Sequence, residues 1–203
     1  IMSFFIILIT RGWLVLVLTD SAFLVTAVNA VPMIPLALIA PIGGVIADRL
    51  NKKLILMVGE SLNFIIVMML AALVITNLIE VWHIFLLSFL HGALFAVVMP
   101  ARMTVVPELM SQRDLASGVA LFTTIFSTAQ LAGPAPAGYL INAFGIGFAL
   151  LVAGLMLIPA FSIILFLRIP FAEVNAGEII AESISQSIKS GLSYVQQNAF
   201  VLG

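Results

Sequence analysis

Residues 43–53 read GGVIADRLNKK and join two long apolar stretches of the chain, with their charged residues between positions 48 and 53. The two stretches cover about residues 22–47 and 54–75. Each has the length of a membrane-spanning helix, which needs about 20 mostly apolar residues at a rise of about 1.5 Å per residue. The segment therefore predicts two membrane helices that are joined by a tight, basic loop.

The composition extends this prediction to the whole chain. Of its 203 residues, 63% are hydrophobic and 8% are charged, whereas soluble globular proteins carry about 25% charged residues. This balance excludes a soluble enzyme, and the net charge of -1 excludes a basic protein that binds nucleic acid. The sequence has no cysteine and two histidines, so we expect no disulfide, no metal centre and no cofactor.

Six apolar stretches predict six membrane-spanning helices, at about residues 1–18, 22–47, 54–75, 81–99, 115–141 and 146–167. The stretches are too long for barrel strands and do not alternate between polar and apolar residues. We therefore predict an all-α membrane protein.

Three parts are expected along the chain: a six-span bundle with a truncated first span, a linker with an amphipathic helix, and the start of a seventh span, at residues 1–168, 169–198 and 199–203. In the linker, isoleucine or leucine at positions 180, 184, 188 and 192 would lie on one helix face. A solvated connector with no specific role fits the same composition.

The basic residues are distributed unevenly between the two sides of the predicted bundle. Seven of the eight fall on one side, namely Arg49, Lys52, Lys53, Arg102, Arg113, Arg168 and Lys189. Because cytoplasmic loops carry an excess of Lys and Arg, this side and the linker are predicted to be cytoplasmic.

The charged segment contains an ordered set of residues that suits a conformational gate: Gly44, Asp48, Arg49, Lys52 and Lys53. A glycine lets another helix approach closely. An aspartate can accept hydrogen bonds from the N-terminus of a neighbouring helix, and the cations can bind the carbonyl ends of helices. Such a cluster could hold two halves of a protein together in one conformation and release them in another.

This order, G-x-x-x-D-R-x-x-K-K between the second and third spans, resembles the loop signature of the major facilitator superfamily. Asn51 stands where the family usually has glycine. The resemblance implies alternating access by two six-span bundles, each a 3+3 inverted repeat, of which this chain would be the N-terminal one. An ordinary basic loop with snorkelling side chains is the alternative interpretation.

A glycine–proline stretch in the fifth span is similar to the antiporter signature of the same superfamily. Gly133, Pro134 and Gly138 match directly, and the signature's other small residues are alanines, at 120, 129 and 137. The resemblance implies an exporter that exchanges its substrate for protons. A generic kinked helix explains the same residues, since proline in a helix removes a backbone hydrogen bond.

The stretches Pro100-Ala101-Arg102 and Val106-Pro107-Glu108-Leu109 resemble the enterobactin- and macrolide-exporting branch of the superfamily. That resemblance implies a multi-pass protein of the bacterial inner membrane that exports drug-like or siderophore-like molecules. The proton gradient would supply the energy, and the partners would be the lipid bilayer, a small-molecule substrate and the C-terminal bundle of the same chain. The span-four arginine of many drug–proton antiporters is absent here, where Ser88 is followed by His91-Gly92.

Charged residues within the spans are candidate site residues, because a charge in the bilayer normally faces the protein interior or water. Arg11 is expected roughly 12 Å below the outer surface. It would face the central cavity and attract anionic substrate groups, or it would form an ion pair between helices. For Glu60 we expect a structural ion pair with Arg49 or Arg102 rather than proton transport.

Uncharged polar residues within the spans are weaker candidates. His91 and Gln130 are candidates for the cavity or for proton coupling, whereas Asn29 and Asn63 are assigned to helix packing.

Two other classes of membrane protein are alternatives to a transporter. An intramembrane serine protease would need a serine in a glycine-rich turn near a histidine. The histidines lie far in sequence from Ser117-Gly118, and no G-x-S-x-G or H-E-x-x-H pattern occurs, so we predict that the protein is not an enzyme. A non-transporting or half-size membrane protein that acts as a dimer or a partner subunit is the remaining alternative.

Overall fold

The computed structural model describes residues 1–108 and 114–167, without the side chains at 41, 42, 45, 47–49 and 106–108. All regular elements in this part of the chain are helices. They are α1 Met2–Thr19, α2 Ala22–Ala30, α3 Met33–Arg49, α4 Lys52–Ile75, α5 Val81–Glu108, α6 Leu115–Ala132, α7 Pro134–Phe144, α8 Ile146–Leu155 and α9 Leu157–Phe166.

These helices form six segments that are long and apolar enough to cross a membrane. Helices α1, α4 and α5 are spans one, three and four, while the pairs α2–α3, α6–α7 and α8–α9 form spans two, five and six. The predictions of an all-α membrane protein and of six spans are thereby confirmed. The linker and the start of a seventh span lie outside the described residues, as do Arg113, Arg168 and Lys189.

The predicted end of the fourth span, near Met99, is wrong. Helix α5 continues to Glu108, over 28 residues, or about 42 Å at a rise of about 1.5 Å per residue. The hydrocarbon core of a bilayer is about 30 Å thick, so one end of α5 reaches beyond it. Arg102, three residues after the predicted end, pairs with the Glu60 carboxylate on α4, which compensates its charge within the continuing helix.

A proline lies at or just after each of the three interruptions within spans. Pro32, Pro134 and Pro159 have no N–H to donate to the carbonyl four residues earlier, which breaks the helical ladder at that point. Span two is divided at Val31 and Pro32, span five at Gly133, and span six at Met156, three residues before its proline.

The short connections are stabilised by local caps. Asp20 and Asn77 adopt left-handed backbone geometry, with φ of 50° and 57°, which Asp and Asn tolerate better than most residues. Asn51 is the N-cap of α4, and its Oδ1 accepts a hydrogen bond from the Leu54 N–H at 3.2 Å. Asn51 therefore has a capping function at the position where the resembling signature carries glycine.

The two ends of the bundle differ in charge. We call the end where α3 meets α4 the basic end; there the Lys53 ammonium donates to the Leu165 carbonyl at the end of α9, at 2.7 Å. At the opposite end, the indole N–H of Trp82 donates to the Glu80 carboxylate at 2.7 Å. The Glu80 N–H in turn donates to Nδ1 of His83, at 3.1 Å, where α5 begins.

Helix α1 lies at the centre of the bundle. Half of its residues are buried (50%), against 11% in the windows that represent spans two and five. Its core residues include Ile6 and Val15, and the Ser3 hydroxyl donates to the Ala153 carbonyl at 2.6 Å, which links α1 to α8. Spans two and five therefore have few fully buried residues within the described bundle.

Candidate functional site

The two neighbouring glycines of the charged segment differ in their surroundings: Gly43 lies against α5, whereas Gly44 faces open space. A Cβ at Gly43 would lie 2.4 Å from the Ala96 carbonyl oxygen, so α3 and α5 touch closely there. A Cβ at Gly44 would have no neighbour within 4 Å. The glycine of the motif therefore adjoins an unoccupied surface of the bundle. The side chains of Asp48 and Arg49 lie outside the described part of the loop.

Lys53 shows one way in which the loop's cations act. Its ammonium contacts the Leu165 carbonyl oxygen, one of the last carbonyls of α9. The C-terminus of a helix carries partial negative charge, which a cation stabilises. Lys53 therefore connects the loop to the end of the sixth span.

Glu60 of α4 and Arg102 of α5 form an ion pair between neighbouring helices. The Glu60 side chain is nearly buried, at 6% exposure, whereas that of Arg102 is 33% exposed. The pair lies towards the basic end, because Glu60 is eight residues after Lys52, the first residue of α4. The arginine can thus reach water while neutralising a buried carboxylate.

This ion pair lines a cavity of about 410 Å³, which we call the paired cavity. It is bounded by parts of α1, α4, α5, α6 and α9, and its lining is otherwise mostly apolar and aromatic. Asn63 also lines it, with a buried Oδ1 that has no hydrogen-bond partner.

A second cavity, of about 280 Å³, lies between α1, α2, α3 and α5 and is lined by Arg11, Asn29 and His91. We call it the Arg11 cavity. Arg11 is 5% exposed, and its Nε has no hydrogen-bond partner. Within residues 1–108 and 114–167, no carboxylate forms an ion pair with Arg11. The ion pair between helices, one of the two expectations for this residue, is thus not formed within that part of the chain.

Three aromatic residues separate the two cavities. Phe4, His91 and Phe95 line both of them. The Phe4 ring stacks on Phe95 with centroids 5.4 Å apart and meets His91 edge to face at 5.9 Å. Because these rings are shared, a rearrangement of their side chains would join the two spaces.

The glycine–proline stretch interrupts span five beside α1. A Cβ at Gly133 would lie 2.5 Å from the Cβ of Phe5, so this glycine permits a close contact between the two spans. Ala137 is fully buried against α1 as part of a cluster with Ile6 and Ile7. A Cβ at Gly138, in contrast, would have no neighbour within 4 Å.

Not every predicted candidate is brought to a cavity. Gln130 is exposed and lines neither the paired cavity nor the Arg11 cavity. From the sequence, Asn29 and Asn63 are expected only to pack between helices. Each instead lines a cavity, Asn29 the Arg11 cavity and Asn63 the paired cavity, and each has a buried Oδ1 without a hydrogen-bond partner. Asn29 lies three residues before Pro32, so its position beside a helix break was the available signal.

The comparisons with known proteins agree with this architecture. Residues 2–202 match the family model described as transmembrane secretion effector. The chain belongs to this family of the major facilitator superfamily. In the described residues, no group of three or more side chains is arranged to hold a metal ion.

Two relatives of this superfamily member are transporters by name. The staphyloferrin A transporter of Staphylococcus aureus is 27% identical over 134 residues, which cover 66% of this chain and 34% of the relative. The uncharacterized MFS-type transporter YfiS of Bacillus subtilis is 24% identical over 170 residues, which cover 83% of this chain and 40% of the relative. The chain therefore matches well under half the length of these two relatives.

Proposed function

We propose that this chain is the N-terminal six-span bundle of a secondary active exporter, which moves small organic molecules across the membrane by alternating access. The observation that carries the proposal is the low burial of spans two and five. In the segments Ala22–Ala40 and Leu115–Phe144 only 11% of the residues in the apolar window are buried, and a Cβ at the motif glycine of either span, Gly44 or Gly138, would meet nothing within 4 Å.

Uncovered small residues suit a contact that must form and separate. Glycine lets two helix backbones approach closely, and packing rather than a hydrophobic driving force holds membrane helices together. A second bundle can therefore dock on spans two and five at one end and part from them at the other. The charged loop at the basic end supplies the groups that stabilise one of these states.

Several features support export of small molecules with proton coupling. The family description names secretion, and one relative is named for a small molecule, staphyloferrin A. The glycine–proline stretch is similar to the antiporter signature. Among the described buried residues, Glu60 is paired with Arg102, which leaves His91 as a buried titratable group without an ion pair. His91 is accordingly our candidate for the proton-coupling residue.

The test uses the full natural protein in proteoliposomes with an imposed proton gradient and ethidium or a fluorescent macrolide as the probe. We expect gradient-dependent transport of a probe, and lower accumulation of the same probe in intact cells that express the protein. Transport that ignores the gradient would contradict proton coupling, and higher accumulation in cells would contradict export.

A matched pair of variants tests the gate. Asp48→Asn removes the only acid of the charged loop and is expected to slow transport about tenfold or more with normal insertion. Glu80→Gln removes an exposed acid at the opposite end and should leave the rate unchanged. Equal rates for Asp48→Asn and the unmodified protein would count against alternating access controlled by this loop.

A further inference from the structure

The Arg11 cavity contains a buried cation without a counter-charge. Arg11 is 5% exposed, its Nε lacks a hydrogen-bond partner, and no carboxylate of the described spans pairs with it. A charged side chain within a membrane normally pairs with another group or faces water, because burying an isolated charge is costly. The site is therefore incomplete without an anion.

We propose that Arg11 binds the carboxylate of an amphiphilic organic monoanion, and that such anions are the substrate class of this transporter. The assignment of a substrate class rests on the proposed transport function, whereas carboxylate binding by Arg11 does not. A guanidinium presents two parallel N–H donors that match the two oxygens of a carboxylate, and such charge-assisted hydrogen bonds are strong in a buried setting.

The other polar groups of the cavity suit the same ligand. Asn29 has a buried Oδ1 without a partner, which can accept a hydrogen bond from a hydroxyl or amide N–H of the ligand. The Asn29 amide packs over α1, where a Cβ at Gly12 would lie 3.4 Å from its Nδ2. The small residue at position 12 therefore leaves room for this amide next to the helix that carries Arg11.

The rest of the lining explains why the ligand is amphiphilic and carries one charge. Arg11 is the only Lys, Arg, Asp or Glu among the described residues that line this cavity. Most of the remaining lining is apolar or aromatic: Phe4, Ile7, Leu8, Met33, Leu36 and Phe95. A single cation in an apolar pocket favours one carboxylate attached to an apolar body over a polyanion.

The neighbouring paired cavity offers space for a longer body and does not compete for Arg11. The two cavities share Phe4, His91 and Phe95, so displacement of these rings would let a ligand extend from one into the other. Glu60, which supplies the carboxylate of the paired cavity, already forms an ion pair with Arg102. The arrangement leaves Arg11 available to an anion that comes from outside the bundle.

Binding can be measured on the full natural protein, purified in detergent, by the shift of its thermal unfolding midpoint. The probes are benzoate and octanoate, each compared with its neutral amide, benzamide or octanamide. We expect a concentration-dependent rise of the Tm with the carboxylates and none with the amides. Arg11→Gln should weaken carboxylate binding by about 10- to 100-fold, because it removes a hydrogen bond to a charged group.

Two further variants distinguish a binding site from a general effect on folding. Arg11→Lys keeps the charge and should retain part of the carboxylate affinity while losing the paired donors. Asn29→Ala should weaken the binding of 4-hydroxybenzoate, whose hydroxyl can donate to the Asn29 Oδ1, whereas Asn63→Ala removes the matching unpartnered amide of the other cavity and should leave that binding unchanged.

Three results would overturn the inference: equal shifts with carboxylates and amides, no shift with either, or undiminished carboxylate binding by Arg11→Gln. A carboxylate of the second bundle that already neutralises Arg11 would give the second result. Export is measured separately in proteoliposomes, with radiolabelled octanoate as well as the dye probes, because an exporter of anions need not carry a cationic dye. Carboxylate binding without export would refute the transport proposal alone, whereas export without carboxylate binding would refute the Arg11 site alone.

Discussion

The two cavities of the bundle each contain a buried charged side chain, but only one of these side chains has a partner of opposite charge in the described residues. In the paired cavity, the Glu60 carboxylate meets Arg102, whose side chain also reaches the surface. In the Arg11 cavity, the guanidinium is more deeply buried and has no carboxylate partner within the described spans. The first arrangement neutralises a buried charge between α4 and α5, while the second leaves a buried cation whose desolvation costs stability.

The walls of the two cavities also differ in stiffness. A Cβ at Gly92, in the Arg11 cavity, would meet the Pro32 backbone, at 2.4 Å from its carbonyl oxygen and 2.5 Å from its Cα. A Cβ at Gly59, in the paired cavity, would meet the Val98 side chain, at 2.2 Å from Cγ2. A side chain can change its rotamer, whereas a backbone at a helix break cannot move without disturbing both helices.

Removing the cation of the ion pair is expected to have the largest effect on stability. Arg102→Gln leaves the buried Glu60 carboxylate without a counter-charge and should lower the free energy of unfolding by about 3 kcal/mol. Glu60→Gln leaves a cation that is one-third exposed, and should cost only about 1 kcal/mol. Unfolding in mixed micelles measures both values, and a larger loss for Glu60→Gln would reverse our assignment of the buried partner.

Enlarging the glycine in the rigid wall is expected to come next. Gly92→Ala should lower the free energy of unfolding by about 2 kcal/mol, because the methyl group collides with backbone atoms of Pro32. Gly59→Ala is the matched control and should cost about 1 kcal/mol or less, since Val98 can adjust. The same unfolding assay checks the pair, and equal losses would show that the two walls are equally stiff.

Removing the unpaired cation should have the opposite sign. Arg11→Met replaces a buried charge by an apolar side chain of similar length, so the ligand-free protein should gain about 1 kcal/mol of stability. Thermal unfolding without added carboxylate measures this change. A marked loss of stability would mean that Arg11 already has a partner in the full protein, and the contrast between the cavities would disappear.

The smallest effect is expected at the basic end, where Lys53 contacts the end of α9. Lys53→Met keeps the aliphatic chain and removes the ammonium that contacts the Leu165 carbonyl, which should cost about 0.5 kcal/mol. Lys53→Arg restores a cation and should recover most of this loss. If both variants unfold like the unmodified protein, the contact contributes nothing measurable and belongs with ordinary surface charges.

The sequence predicts the spans well because apolar composition alone determines where a helix can cross a bilayer. It also predicts an ion pair of Glu60 with Arg49 or Arg102, because a buried carboxylate needs a counter-charge, and the structure pairs it with Arg102. The lack of a partner for Arg11 could not be predicted, because it depends on how four helices place their side chains around one point. The sequence left both outcomes open for this residue.

The length of α5 shows where composition misleads. Arg102 and the prolines that follow the apolar run indicate a loop after Met99, yet the helix continues to Glu108. A tertiary contact with Glu60 compensates the charge, and this contact is invisible to any pattern within the fourth span alone. Proline alone does not predict the span breaks either: a proline lies at or just after each of the three, yet Pro41 and Pro100 lie within continuous helices.

The hydrogen bond between Trp82 and Glu80 fixes a fluorescent side chain at one end of the bundle, so tryptophan fluorescence can report the depth of the bundle in the membrane. The chain has two tryptophans: Trp82 is held at the opposite end by the Glu80 carboxylate, and Trp13 is 49% exposed within α1. Trp13 lies six residues before Thr19, the last residue of α1, or about 9 Å deeper along the helix. In Trp13→Phe and Trp82→Phe proteins, lipids with quenchers at graded depths should extinguish the two fluorophores in a fixed order, which reports how the bundle sits in the bilayer.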